Sequence, residues 1–261
     1  MKIAANLSLL FTEQPLHGRP AMAAAAGFDG VEIQFPYEVA APLMGEALQR
    51  SSMPLVLINL PAGDLLAGGA GLAAVPSRQA EFDQALEDAF EYAAVVRPLC
   101  VNVLPGRLAE GVTCEQALAT LEANLRKAAQ RFQALGIRVL SEAINPLDMP
   151  GFLINTAQQL AELLRRVDHP NCLGQLDLYH MARQELDFAE CISHLQGRIG
   201  HVQFADCPGR GAPGSGELAL EAQLQALLAS GYQGWLGAEY RPAGPTQASL
   251  DWLPRWQASL P

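Results

Sequence analysis

Eight short runs of β-prone residues alternate with longer Ala/Leu-rich stretches along nearly the whole chain, near residues 3–8, 30–35, 55–60, 99–104, 138–144, 174–179, 199–206 and 235–240. This alternation limits the fold more tightly than any single motif, because repeated strand–helix units produce parallel strands covered by helices. Between the runs, segments 79–96, 114–134, 156–167 and 218–229 carry apolar residues three and four apart, the period of a helix with one buried face. Asn155 and Thr156, just ahead of one such pattern, read as a helix start. Eight βα units in 261 residues predict a (β/α)8 TIM barrel of the α/β class. A single domain over 1–261 is expected, since no linker, low-complexity tract or charge block divides the chain. The Pro/Gly-rich stretches 61–77, 146–151 and 208–216 each follow a strand and precede a helix. In a barrel these are the loops that build the active-site face.

Composition excludes several partners. Lys and Arg number 17 against 27 Asp and Glu, for a net charge of -10, so the chain lacks the concentrated positive charge that tracks phosphates and no nucleic acid is expected. No stretch reaches the roughly 18 to 20 apolar residues of a membrane span, so no membrane partner is expected either. Cys100, Cys114, Cys172, Cys191 and Cys207 are odd in number, dispersed, and form no C-x-x-C pair. They read as reduced thiols, with no disulfide framework and no cysteine zinc site. Lys2, the apolar stretch 3–11 and the alanines of 21–25 loosely imitate an export signal. Asn6, Ser8, Thr12, Glu13 and Gln14 interrupt it, so the segment reads as the first barrel strand of a cytoplasmic protein.

Side chains alternate along a strand, so each run divides into a face toward the barrel axis and a face toward the helices. Arg138, Leu140 and Glu142 share one face, as do Gln175 and Asp177, then His201, Gln203 and Ala205, then Trp235, Gly237 and Glu239. With polar residues facing the axis, Glu142, Asp177, Gln203 and Glu239 all point inward near the C-terminal ends of four consecutive strands. Three converging carboxylates repel and raise each other's pKa unless a cation neutralises them. One divalent metal ion is therefore expected. If Gln203 offers its amide oxygen, the donors are hard oxygens, which favours Mn²⁺ or Mg²⁺, with Zn²⁺ and Co²⁺ as alternatives. Taken singly, each acid reads equally well as a strand-end residue paired with an arginine or a helix N-terminus; four in succession carry the expectation. His180, three residues beyond Asp177, reads as a donor to a substrate oxygen, as a residue orienting a ligand, or as a hydrogen-bonded loop histidine. His201, two residues deeper than Gln203, reads as structural.

The segment Gly209-Arg210-Gly211-Ala212-Pro213-Gly214 spells G-x-G-x-x-G after a strand. A dinucleotide site does not follow from it. Pro213 removes an amide where a phosphate cradle needs donors, and the segment lies in the seventh βα unit rather than the first. It reads instead as an Arg-bearing loop over a small anion, or as a purely structural loop.

Assembled, these residues resemble the hydroxypyruvate isomerase family within the xylose isomerase-like barrels, over nearly the full length. The resemblance rests on Ala5-Asn6-Leu7-Ser8 with Leu10-Phe11, on Gly27-Phe28-Asp29-Gly30-Val31-Glu32 with Phe35-Pro36-Tyr37, and on Asn59-Leu60-Pro61-Ala62-Gly63-Asp64. It continues through Glu142-Ala143-Ile144-Asn145 with Pro150-Gly151-Phe152, and Asp177-Leu178-Tyr179-His180-Met181. It closes on His201-Val202-Gln203-Phe204-Ala205-Asp206, Gly214-Ser215-Gly216-Glu217 and Gly237-Ala238-Glu239-Tyr240. The resemblance implies that Glu142, Asp177, Gln203 and Glu239 form the metal site and that Glu142 and Glu239 double as acid/base catalysts. It also implies that His180 and Arg210 contact substrate oxygens, as in related ketose epimerases, which usually carry a histidine where Gln203 stands. Asn6, Asn102, Arg78 and Arg107 are further candidates for substrate contact. One departure stands out: typical members have a histidine before Asn59 and a tryptophan after Asp64, where this chain has Ile58 and Leu65.

The reaction so implied interconverts hydroxypyruvate and 2-hydroxy-3-oxopropanoate by proton transfer through an enediolate, whose charge a bound cation stabilises. Arg210, Arg107 or Arg78 would hold the substrate carboxylate, a task suited to a planar two-pronged donor. The alternatives are a 2-oxo-tetronate isomerase acting on a four-carbon acid, a ketose 3-epimerase, and a non-catalytic sugar-acid binding protein. An abasic-site endonuclease on this fold would demand a basic groove and a histidine-rich zinc cluster, and the sequence has neither. The partner expected is a small hydroxy-oxo acid; an Ala-rich exterior helix fits either a homo-oligomer contact or ordinary barrel packing.

Overall fold

A computed structural model describes residues 1–259. Eight parallel strands close into a barrel in sequence order, with the first hydrogen-bonded to the eighth. They are β1 (Lys2–Asn6), β2 (Gly30–Ile33), β3 (Leu55–Asn59), β4 (Cys100–Asn102), β5 (Arg138–Glu142), β6 (Cys172–Asp177), β7 (Ile199–Phe204) and β8 (Trp235–Ala238). Helices α1 (Arg19–Ala25), α2 (Ala41–Ser51), α3 (Gln79–Val96), α4 (Cys114–Gln133) and α5 (Ala157–Val167) cover the first part of the barrel. The coat continues with α6 (Leu178–Ala182), α7 (Phe188–His194), α8 (Leu220–Ala229) and α9 (Leu253–Ser259).

All eight expected strands form, and each ends one or two residues earlier than the sequence suggests. The run expected over 174–179 instead stops at Asp177, and Leu178–Ala182 turns directly into α6. Asp177 itself makes this turn: its Oδ1 accepts the Tyr179 amide at 2.9 Å, the hydrogen bond of an N-cap. Thr113 and Thr156 begin α4 and α5 with reciprocal capping boxes through Gln116 and Gln159. Thr156 is thus the cap of α5 rather than its first residue. Among the described residues no helix is long and apolar enough to cross a membrane.

Two apolar layers hold the barrel. The larger lies between strands and helices, where Ile3, Val31, Val101, Val139 and Val202 meet Phe82, Leu121, Leu160 and Leu224. The smaller plugs the N-terminal end of the barrel interior with Ala4, Leu57, Cys100 and Leu140 against Leu173 and Trp235. Gly30 makes room for that plug, since a Cβ there would meet the Trp235 ring at 2.7 Å. Above it, the alternation that puts apolar residues inside at the bottom puts polar ones inside at the mouth.

Candidate active site

The floor of the mouth is a buried polar network centred on Glu32. Its carboxyl accepts hydrogen bonds from Asn6 Nδ2 at 2.8 Å and Gln203 Nε2 at 2.7 Å, and its Oε2 lies 2.7 Å from His201 Nε2. Gly237 permits this, because a Cβ there would fall 2.3 Å from Glu32 Oε2. With its amide hydrogen spent on Glu32, Gln203 turns Oε1 toward Gln175, which donates to it. Sequence reasoning assigned His201 a structural place and it has one, but it passed over Glu32. The period-two argument would have found that residue, since Glu32 shares a face with Gly30 at the end of β2.

On this floor stand the acids. Glu142 ends β5, Asp177 ends β6, Gln203 lies near the end of β7, and Glu239 follows β8. Glu142, Gln203, Glu239, His180 and Arg210 line a cavity of about 690 Å³ at the C-terminal mouth, together with Gln34, Leu66, Arg183 and Arg241. Asp177 is recessed behind them, 1% exposed. Arg210 reaches down from the loop after β7, its Nη2 at 2.6 Å from Glu239 Oε1 and 3.2 Å from Asp177 Oδ2. Its own backbone is left-handed, with φ +55°, a conformation that costs a non-glycine residue about 1 kcal/mol. The Arg241 amide on the Arg210 carbonyl, at 2.7 Å, helps hold it there. Gln34 Nε2 adds a second donor to Glu239 Oε1 at 2.8 Å, and Asn102 Nδ2 donates to Glu142 at 3.0 Å.

Burial chiefly, then the neighbouring Glu239 and Asp177, pushes the Glu142 carboxyl well above the ordinary carboxylate range. Burial also lifts Glu239 to about 8, although the Arg210 guanidinium pulls the other way. His180 is driven down to about 4, mainly by burial and against the pull of Asp177. It is a neutral imidazole at physiological pH. The surrounding carboxylates raise Arg210 further above its ordinary range despite its burial. Three buried acids served by one guanidinium form a centre with an excess of negative charge, and a divalent cation fits it on charge and on donor chemistry. Glu142, Asp177 and His180 each bring an atom within 4.8 Å of the others, and Glu239 and Gln203 line the same cavity.

Four expected substrate contacts lie elsewhere. Asn6 and Asn102 do not line the cavity; their side-chain NH2 groups donate to Glu32 and Glu142, and the buried Asn102 Oδ1 has no partner. Arg78 is spent on Asp64, Glu81 and the Gly71 carbonyl in the loop after β3. Arg107 ties that loop to the one after β5 through the carbonyls of Leu65, Gly69 and Pro150, at 2.7, 2.8 and 3.1 Å. Both arginines therefore build the walls of the mouth instead of facing it. The glycine-rich loop closes on itself in the same way: Asp206 accepts the amides of Cys207, Gly214 and Leu218. Asp206 thus folds the loop back on its own strand end, while the loop's Arg210 enters the site. Arg183 and Arg241 were missed because they lie beyond the expected strand runs, where alternation no longer says which way a side chain points; Gln34, on the same face of the run 30–35 as Glu32, was passed over with it.

A closed (β/α)8 barrel with buried carboxyls lining a cavity at its C-terminal mouth has its polar residues where barrel enzymes keep their active sites. A family model for the xylose isomerase-like TIM barrel matches residues 20–256, and the chain belongs to that family. It is 38% identical over 253 residues to hydroxypyruvate isomerase of Escherichia coli K12, covering 97% of this chain and 98% of that one. It is 37% identical over 255 residues to 2-oxo-tetronate isomerase of Pectobacterium atrosepticum, covering 98% and 97%. A crystal structure described as an AP endonuclease of family 2 from Brucella melitensis superposes with a TM-score of 0.93 at 37% identity, over 98% of each chain. The protein is an isomerase.

Proposed function

We propose that the protein interconverts hydroxypyruvate and 2-hydroxy-3-oxopropanoate, with Glu142 and Glu239 moving the proton between adjacent carbons. The observation that carries this reading is the pair itself: two buried carboxyls lining one cavity, both raised by burial above the ordinary carboxylate range, so that each can hold a proton at a pH where an exposed glutamate has lost it. Their surroundings divide the work. Glu239 accepts hydrogen bonds from a guanidinium and an amide, Glu142 from one amide only. Glu239 is thus the more readily ionised and removes the proton from the hydroxymethyl carbon, leaving an enediolate. Glu142 holds a proton and delivers it to the neighbouring carbon, while the hydroxyl hydrogen passes from the oxygen that becomes the aldehyde to the oxygen that becomes the new hydroxyl.

The residues named for a divalent ion are Glu142, Asp177, Glu239 and the Gln203 oxygen. Such an ion, Mn²⁺ or Mg²⁺ by donor type, would offset the negative charge that develops on the substrate oxygens. Arg210 already serves the two acids, so it orients Glu239 and Asp177 as well as facing substrate. Of the three arginines the sequence offers for holding the substrate carboxylate, Arg210, Arg107 and Arg78, only Arg210 lines the cavity, and Arg183 and Arg241 on the same wall join it in that role. The names of the relatives support a small hydroxy-oxo acid, and a four-carbon 2-oxo-tetronate is the alternative within the same chemistry.

A coupled assay of the Mn²⁺-loaded protein on hydroxypyruvate and 2-oxo-tetronate, run in D2O with product analysis by NMR, tests this. Wild type converts at least one substrate. Glu239→Gln loses solvent exchange and conversion together, whereas Glu142→Gln retains exchange at the first carbon but forms no product. If neither acid turns over, the substrate assignment fails; if Glu239→Gln still exchanges, the division of roles fails.

A further inference from the structure

His180 lies against the acids, its Nε2 at 3.6 Å from Asp177 Oδ2 and 4.0 Å from Glu142 Oε1. By position alone it is as good a cation ligand as they are. What decides is which ring nitrogen carries the hydrogen, and Asn145, three residues past the end of β5, settles that. The Asn145 Oδ1 accepts the Asp148 backbone amide at 2.8 Å, and its Nδ2 lies 3.1 Å from Asp148 Oδ2 and 2.7 Å from His180 Nδ1. Turning the amide over would set its NH2 against an N–H and its oxygen against a carboxyl oxygen. Both contacts are repulsive, so the amide has one orientation and it donates to His180. Nδ1 is then an acceptor, and in a neutral imidazole the hydrogen sits on Nε2. Asn145 is fully buried and His180 is 3% exposed, so the amide has no bulk water to turn to in place of these partners.

We infer that Asn145 is a positioning residue that fixes His180 as an Nε2–H hydrogen-bond donor aimed into the cavity, and thereby keeps it out of the metal-ligand set. A protonated Nε2 has no lone pair for a cation; it has a hydrogen for a substrate oxygen. The donor role rests on the isomerase reading above, whereas the protonation pattern does not. Asp148 supports the arrangement, being bound to Asn145 through both its backbone and its side chain. The amide therefore couples the loop after β5 to α6.

The test is long-range ¹H–¹⁵N correlation on protein labelled with ¹⁵N-histidine, the His180 signals being assigned by their loss in His180→Gln. Wild type shows a protonated Nε2 and a bare Nδ1 at His180, and it keeps that pattern when Zn²⁺ is added. A protonated Nδ1 in the metal-free protein, or loss of the Nε2 hydrogen on adding Zn²⁺, overturns the inference. Asn145→Asp moves the hydrogen to Nδ1, and Asn145→Ala, which removes the donor without adding an acceptor, serves if the first variant does not fold. Either variant lowers kcat about tenfold or more with KM changed less than about threefold; an unchanged kcat refutes the donor role. An inactive wild type would count against the substrate assignment alone, since the spectra are read without substrate.

Discussion

Removing the Arg210 side chain tests the electrostatic account of the mouth most directly. Its guanidinium is 16% exposed and pairs with Glu239 and Asp177 at 2.6 and 3.2 Å, and it holds down the carboxyl pKa of both Glu239 and Glu142. In Arg210→Ala those two carboxyls rise further. A carboxyl whose folded pKa lies above its unfolded one contributes no penalty below the unfolded value, near 4.5. It contributes a growing loss of stability as pH climbs toward the folded value. Metal-free wild type should therefore lose stability between about pH 4.5 and 8. The variant should lose more, and keep losing it to higher pH. Breaking a buried ion pair costs about 3 kcal/mol at the low end, and in a chain of this size about 2–4 °C of Tm accompanies each kcal/mol. Thermal unfolding in EDTA should show the variant within about 2 °C of wild type at pH 5 and roughly 6–12 °C below it at pH 8.5. A gap independent of pH would mean that Arg210 stabilises by packing, and the charge argument would fall.

Other substitutions probe the interior beneath the site. Glu32→Leu strips the acceptor from Asn6, His201 and Gln203; with each orphaned buried donor worth about 1–3 kcal/mol, urea titration should show a loss of at least about 3 kcal/mol, and an unshifted midpoint would refute the network. Gly237→Ala drives a Cβ to 2.3 Å from Glu32 Oε2 and should cost about 1–3 kcal/mol. Combined with Glu32→Ala it should cost less than the sum of the two single changes, while strict additivity would mean the two do not touch. Thr156→Ala opens the capping box of α5 and should lower stability by about 1 kcal/mol without changing turnover, which separates scaffold from site.

The alternation of β-prone runs with helical periods was enough for the sequence to specify parallel strands, helical cover and the mouth at the strand ends. Period two then placed Glu142, Asp177, Gln203 and Glu239 on the inner face, because alternation is a property of the strand itself and needs no partner. Where the strand ends, that logic ends. Asn145, Arg183 and Arg241 sit on loops whose direction is set by what they pack against, and nothing in their spacing marks them. Arg78, Arg107 and Arg210 look alike in sequence, each a guanidinium in a loop after a strand. Arg78 spends its donors on its own loop and the first turn of α3, Arg107 on the loops either side of it, and Arg210 enters the site, a distinction that depends on which carbonyls and carboxylates lie within reach after closure. Glu32 is inward by its period, yet its work as the acceptor for residues up to 171 positions away exists only once β2 faces β7 across the barrel. The chemistry of single strands is local and legible; the partnering of buried polar groups is long-range, and only the closed barrel decides it.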